Sequence, residues 1–145
     1  MNTNQNPSDY KVVAVINKKL DTGPAMNTIA HLGLGLSSLV GDTGRKILQF
    51  LDFEDHSGGV HPSISARSLV VLEGSEKHIR EFRKTVIDKG IIFVDFTETM
   101  TGGDYLEQLD KTKRTTDEGI VYFGLMVLGL AEELKPMTRK FSLWH

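Results

Sequence analysis

Residues 26–36, MNTIAHLGLGL, set an amide and an imidazole into an otherwise apolar, small-residue stretch. If this stretch is helical, Asn27 and His31 lie four residues apart and share one face. Two readings are open. The pair can close onto the fold as a satisfied polar couple, since buried polar groups normally find hydrogen-bond partners. Alternatively it lines a site, where an imidazole within reach of a water or a substrate can act as general base. Asn27 would then orient the ring or donate to a developing oxyanion.

A second group of chemically able residues is the segment DFEDHSGGVH, which holds Asp52, Glu54, Asp55, His56 and His61. Carboxylate oxygens and imidazole nitrogens suit zinc or manganese. No fixed ligand spacing such as H-x-x-x-H accompanies them. A solvated loop is therefore the preferred reading and no metal is predicted; His56, His61 and Asp55 are the residues that would carry one. Other short strings fail on context. DTG at Asp21 occurs once, whereas an aspartic-protease dyad needs two carboxylates. GDTGRK lacks phosphate-loop spacing. The glycines of GLGLSS fall inside a helical pattern and not at a strand-to-helix turn. No serine sits in a nucleophile elbow. No cofactor is predicted.

These residues need elements to position them. KVVAVINKKL reads as a strand buried on both faces. DTGPA breaks it, and Pro24 suits a first helical turn. Ile29, Leu32, Leu36 and Leu39 then recur at helical spacing, and GDTGRK ends the helix. Gly33 and Gly35 each cost about 1 kcal/mol of helix propensity relative to alanine. Their presence predicts a helix lying tight on a sheet. KILQFLDFED is a strand or a short helical segment, with strand favoured, and HSGGVHPSISA reads as a loop. RSLVVLEG is a strand. Ser75 caps a following helix with apolar positions Ile79, Phe82, Val86 and Ile87, and Gly90 stops it. IIFVDFTE is the next strand, so this βαβ unit predicts a parallel pair. The segment from Thr99 to Gly119 is polar, with one or two turns of helix around Tyr105–Leu109. IVYFGLMVLG is a strong final strand, LAEELKPMTRK a short helix, and FSLWH an edge strand or docked tail. Together they define an α/β domain, a three-layer α/β/α sandwich around a mixed sheet of four or five strands.

The chain of 145 residues carries 17 Lys and Arg against 19 Asp and Glu. Nucleic-acid binding draws on a basic excess, so this balance argues against tRNA or other RNA as the main partner, although KTKR and KPMTRK form local basic clusters. There is no cysteine, which removes disulfides, thiolate metal sites and a cysteine nucleophile. No apolar run approaches the ~20 residues a membrane helix requires. The polar opening MNTNQNPSDY reads as a frayed tail over residues 1–10, followed by a single domain over 11–145. A cytoplasmic location is expected. The apolar last strand and FSLWH suggest a homodimer.

KVVAVINKKLDTGPAMNTIAHLGLGL resembles the opening of the type II peptidyl-tRNA hydrolases, a strand leading through a glycine-containing turn into a histidine-bearing helix. SLVVLEGSEKHIREFRKTVIDKGIIFVDFTE is similar to the second strand, crossover helix and third strand of that fold. YFGLMVLGLAEELKPMTRKFSLWH is similar to its last strand, short helix and closing tail. With N-x-x-A-H-L in the first helix, the chain also resembles an uncharacterised family of small bacterial proteins sharing that fold. The resemblance implies that His31 corresponds to the helix histidine of the hydrolases, and Glu98, or with a shift Asp95, to their acidic residue, which could fix the imidazole tautomer. The hydrolases' helix glutamine is replaced, with Thr28 at its place and Asn27 one residue back. Their turn lysine is absent, Gly23 being followed by Pro24 and Ala25, and their last-strand threonine has no clear counterpart. Two functions follow: a non-catalytic or divergent module for a small molecule or an acyl or aminoacyl ligand, or a hydrolase of peptidyl-tRNA or a related ester with His31 as base.

Overall fold

A computed structural model of the protein describes residues 6–145. The chain runs β1 (Tyr10–Asn17), α1 (Thr22–Leu39), α2 (Gly41–Leu48), β2 (Phe50–Glu54), β3 (Val60–Ser65), β4 (Leu69–Gly74) and α3 (Glu76–Asp88). It continues through β5 (Ile92–Thr97), α4 (Tyr105–Arg114), β6 (Tyr122–Leu130), α5 (Ala131–Thr138) and β7 (Ser142–Leu143). Five strands form a mixed sheet in the order β5-β6-β1-β4-β7, and β2 and β3 form a separate two-stranded sheet. β1 is parallel to β4 and antiparallel to β6.

The doubly apolar VVAVI of β1 explains its central place. Val12, Ala14 and Ile16 enter a core with Leu32 and Leu36 of α1. Val13 and Val15 enter another with Ile79, Phe82 and Val86 of α3. Alternation along one strand thus feeds both faces. Ser75 caps α3 by accepting from the His78 N–H, as its sequence position predicts. Ile87, expected on the apolar face, is 46% exposed. Gly35 does bring α1 tight onto the sheet, since an added Cβ would lie 2.9 Å from Val94 Cγ1. Gly33 does not: its missing Cβ faces open space.

Several elements depart from expectation. β4 and β5 run in the same direction but are not a pair, because β6 and β1 lie between them. Three strand spacings amount to about 14 Å, within the roughly 20 Å length of a 13-residue helix, so α3 can span both intervening strands. GDTGRK does not simply end α1. Gly41 (φ 60) turns the chain and a second helix, α2, starts at once, burying Ile47 and Leu48. The favoured strand in KILQFLDFED is β2 from Phe50 on, after α2 has taken its first residues, and the expected loop HSGGVHPSISA instead holds β3, so the two form a hairpin. Asp55 Oδ1 accepts from the Ser57 and Gly59 N–H groups at 2.7 and 3.1 Å, and this local turn folds β3 back onto β2.

α4 is longer than the expected one or two turns. Asp104 and Glu107 form a reciprocal capping box that lets it start in a polar segment. β6 is interior, paired on both sides, and its apolar residues are largely buried in the core. The closing FSLWH supplies β7, an edge strand against β4. Of the expected tail, 1–5 lie outside the described residues; Pro7–Asp9 form a 3-10 turn and Tyr10 already begins β1.

Candidate functional site

The buried stripe of α1 includes Ala25, Thr28, Leu32 and Leu36. Thr28 donates to the Pro24 carbonyl at 2.8 Å, which satisfies its hydroxyl inside the helix. Asn27 and His31 fall beside this stripe, and both are exposed. The His31 ring lies flat against Phe96, with centroids 5.0 Å apart and planes within 7°. Phe96 is the penultimate residue of β5, so the imidazole sits by the carboxyl end of that strand. No hydrogen bond joins Asn27 to His31 among the described residues.

The acidic candidates go elsewhere. Val94 and Phe96 of β5 face α1, so alternation turns Asp95 to the opposite side of the sheet. There its Oδ2 accepts from Arg83 Nε of α3 at 2.5 Å. The structure therefore does not place Asp95 beside His31. Glu98 opens the 3-10 turn after β5, and its carboxylate pairs with Lys111 of α4. Threonine hydroxyls anchor α4 there: Thr112 donates to Thr99, which bonds Thr97, both contacts at 2.8 Å. Sequence spacing thus brings Asn27 and His31 onto one side of α1, while the ion pairs engage both carboxylates with cations.

In the hairpin, Asp55 Oδ2 lies 3.3 Å from His61 Nε2, and both side chains are well exposed. The backbone N–H groups of Gly59 and Ser57, with a smaller contribution from His61, hold the Asp55 carboxyl below the usual aspartate range. Among the described residues no three or more His, Cys, Asp or Glu side chains come together in an arrangement that could hold a metal ion. The carboxylate is already occupied in shaping the turn.

A different site lies on the other flank of α1. Ile29, Gly33, Leu36 and Ser37, at helical spacing, wall a cleft of ≈ 210 Å³ whose floor is Val12 and Met126 of the sheet. Leu48, Phe50, Ser65, Arg67 and Leu69, from the hairpin root and β4, close the remaining side. Apolar groups dominate it, with few polar ones, which is the usual character of a small-molecule site.

Arg67 is the charged residue of this lining. Its Nη2 donates to Gln49 Oε1 at 2.5 Å, and its backbone N–H to Ser65 Oγ at 3.1 Å. Its Nε is buried with no hydrogen-bond partner. Gln49 holds a left-handed backbone, φ 51, where α2 turns into β2; such strain costs about 1–3 kcal/mol in a non-glycine residue. The Leu48 and Gln49 carbonyls both accept from Ala66 N–H, tying that turn to the start of the Arg67 segment. Sequence reasoning missed this site. Its only trace was Gly33, a helical glycine that no neighbouring backbone requires.

Fold and cleft define a class: an α/β protein with a mixed five-stranded sheet and an appended hairpin that helps enclose a small apolar cleft. The chain belongs to a family described as protein of unknown function DUF2000, with residues 10–145 matched. Its fold is similar to the solved structure of a protein of unknown function from Agrobacterium tumefaciens strain C58, with a TM-score of 0.78 and 19% identity. The similarity covers 94% of this chain and 98% of that one. At that identity the likeness concerns the fold alone. No curated protein matches the chain.

Proposed function

We propose that this protein is a small-ligand-binding module, a non-catalytic or divergent member of the peptidyl-tRNA hydrolase type II-like fold. The order of the main-sheet strands and their helices supports that fold: β1, histidine-bearing α1, β4, crossover helix α3, β5, β6, short α5 and closing edge strand β7, with α2 and the β2–β3 hairpin inserted after α1 and α4 before β6. One observation carries the binding reading, the ≈ 210 Å³ apolar cleft between α1 and the hairpin root. Concave apolar sites with a few polar groups are where small molecules bind. The engagement of Asp95 with Arg83 and of Glu98 with Lys111 supports a non-catalytic role, because it leaves His31 without either proposed orienting carboxylate. A protein-observed NMR screen of small apolar and amphipathic compounds tests the reading. Amide shifts should cluster at Gly33, Leu36, Phe50 and Arg67; a screen whose shifts all fall elsewhere would refute it.

A second reading keeps hydrolysis of peptidyl-tRNA or a related acyl or aminoacyl ester. The observation favouring it is an exposed His31 imidazole held flat on Phe96 at the end of β5. Release of tRNA from a model peptidyl-tRNA separates the two. Turnover by the wild type, abolished in His31→Ala, establishes hydrolysis; no wild-type turnover removes it. Because His31 is exposed, His31→Ala should fold normally, so a loss of turnover would report on chemistry.

A further inference from the structure

The cleft has a size and one charged lining residue, and together they narrow what it can hold. A cavity of about 150 Å³ lined by leucine, isoleucine and phenylalanine takes a benzene ring. The ≈ 210 Å³ here adds room for one small polar group, and stays below the roughly 300 Å³ at which pockets for drug-sized ligands begin. Gly33 contributes to that room, since an added Cβ would meet no atom within 4 Å.

The charge decides what the polar group is. Arg67 lines the cleft with a permanently charged guanidinium, and no acidic side chain pairs with it among the described residues. Its internal partner is the neutral Gln49 amide, and its Nε is a buried donor without an acceptor. Such donors are rare in native folds because a lost hydrogen bond is not replaced by water. The acceptor that best matches a guanidinium donor is a carboxylate.

We propose that the cleft between α1 and the hairpin root binds a small monocarboxylate with an aromatic or branched aliphatic body, and that Arg67 receives the carboxylate. The body fills the apolar space under Gly33, between Ile29 and Leu36 of α1 and Met126 of the sheet. The carboxylate accepts from terminal guanidinium N–H groups, while Gln49 Oε1 holds the guanidinium through Nη2. A phosphate fits less well, because its higher charge would meet a single arginine in a mostly apolar lining. This inference rests on the ligand-binding reading above and specifies its ligand.

The test uses the full isotope-labelled chain with four probes: benzoate, isovalerate, and their neutral counterparts benzyl alcohol and isoamyl alcohol. The acids should bind about ten- to a hundredfold more tightly than the alcohols, the increment of a hydrogen bond to a charged group. Arg67→Met should erase that preference. Gly33→Leu, which sets a side chain into the cleft, should abolish binding of all four probes while the spectrum stays dispersed. If alcohols and acids bind the wild-type cleft equally, the carboxylate inference is overturned and the ligand-binding reading stands. If no probe shifts the cleft amides, both fall. The acid-against-alcohol comparison is made on the wild type, so it survives even if a variant fails to fold.

Discussion

Arg83 and Arg67 are both partly buried arginines, one on each face of the five-stranded sheet, and the protein treats them differently. Arg83 of α3 donates its Nε to Asp95 and lies 5.6 Å from the ring centroids of both Phe93 and Tyr122. Burial alone would lower its pKa, yet the hydrogen bond and charge of Asp95 outweigh it and hold the guanidinium above its ordinary value. Its neighbour Arg80 is likewise engaged, by Glu76 and by the Asp117 and Ile120 carbonyls. Tyr122, 2% exposed beneath these two cations, has its phenol pushed up by desolvation. Arg67, on the α1 face, has an amide for a partner and a buried Nε with none. On the α3 face both Arg80 and Arg83 are paired with carboxylates of the chain. On the α1 face Arg67 lines the cleft with no acidic partner among the described residues, which is the asymmetry expected if Arg67 meets an anionic group of a ligand.

The largest expected effect tests whether the two faces also differ in packing. Phe82 is 1% exposed and sits edge-on to Phe141 in the α3-side core. Phe82→Ala should lower the unfolding free energy by about 3–5 kcal/mol. Gly33→Ala, on the cleft side, should instead raise it by up to about 1 kcal/mol, because the new Cβ meets no atom within 4 Å and the glycine penalty in a helix disappears. Equilibrium urea unfolding measures both. A destabilised Gly33→Ala would mean that the helix needs the glycine for close packing and that the cleft is narrower than described.

A smaller effect addresses the arginines themselves. Asp95→Asn leaves the Arg83 guanidinium facing a neutral amide. Removing one partner of a fully buried pair costs 3–5 kcal/mol, and partial solvent screening of Arg83, 30% exposed, reduces this to about 1–3 kcal/mol. Arg67→Met has no ion pair to lose. It gives up one hydrogen bond to Gln49 and relieves one unsatisfied donor, terms of about 1–3 kcal/mol each that oppose one another. Its unfolding free energy should change by less than about 1 kcal/mol. If Arg67→Met proved as costly as Asp95→Asn, Arg67 would be a structural residue and the contrast between the faces would fail.

How much of this the sequence carries depends on the range of the interaction. β1 and α3 were legible because branched apolar runs, a serine cap and helical spacing are local signals, as at Val12–Ile16, Ser75 and Phe82. The side of the sheet that Asp95 faces was legible in principle, since it alternates with Val94 and Phe96 in IFVDFT. The first hairpin strand was legible in KILQFLDFED, but the second was hidden because Gly, Ser and Pro62 read as loop, while the turn is set by one carboxylate, Asp55, accepting from two amides. The pairing of β6 between β5 and β1 is a long-range choice with no local marker. The cleft draws on β1, α1, α2, the hairpin and both β4 and β6, so no window of sequence contains it. Arg67, opening RSLVV, looks like any charge at the mouth of a strand.

The smallest effect concerns the hairpin that closes the cleft side of the molecule. Asp55 is exposed, and the Gly59 and Ser57 amides hold its carboxyl below the ordinary aspartate value. A carboxyl whose folded pKa is depressed contributes stability that is present above its unfolded value, about 3.9, and is lost as the pH falls through the lowered folded value. The turn should therefore loosen only in acid, below about pH 4. The Ser57 and Gly59 amide signals should titrate there, while Phe82 and Val86 in the α3-side core stay fixed. In Asp55→Asn the side-chain oxygen still accepts from both amides, but no proton can bind it in this range. Their acid step should disappear with the turn intact. The same step persisting in Asp55→Asn would assign the titration to another group and detach the hairpin's acid response from the hydrogen bonds that shape its turn.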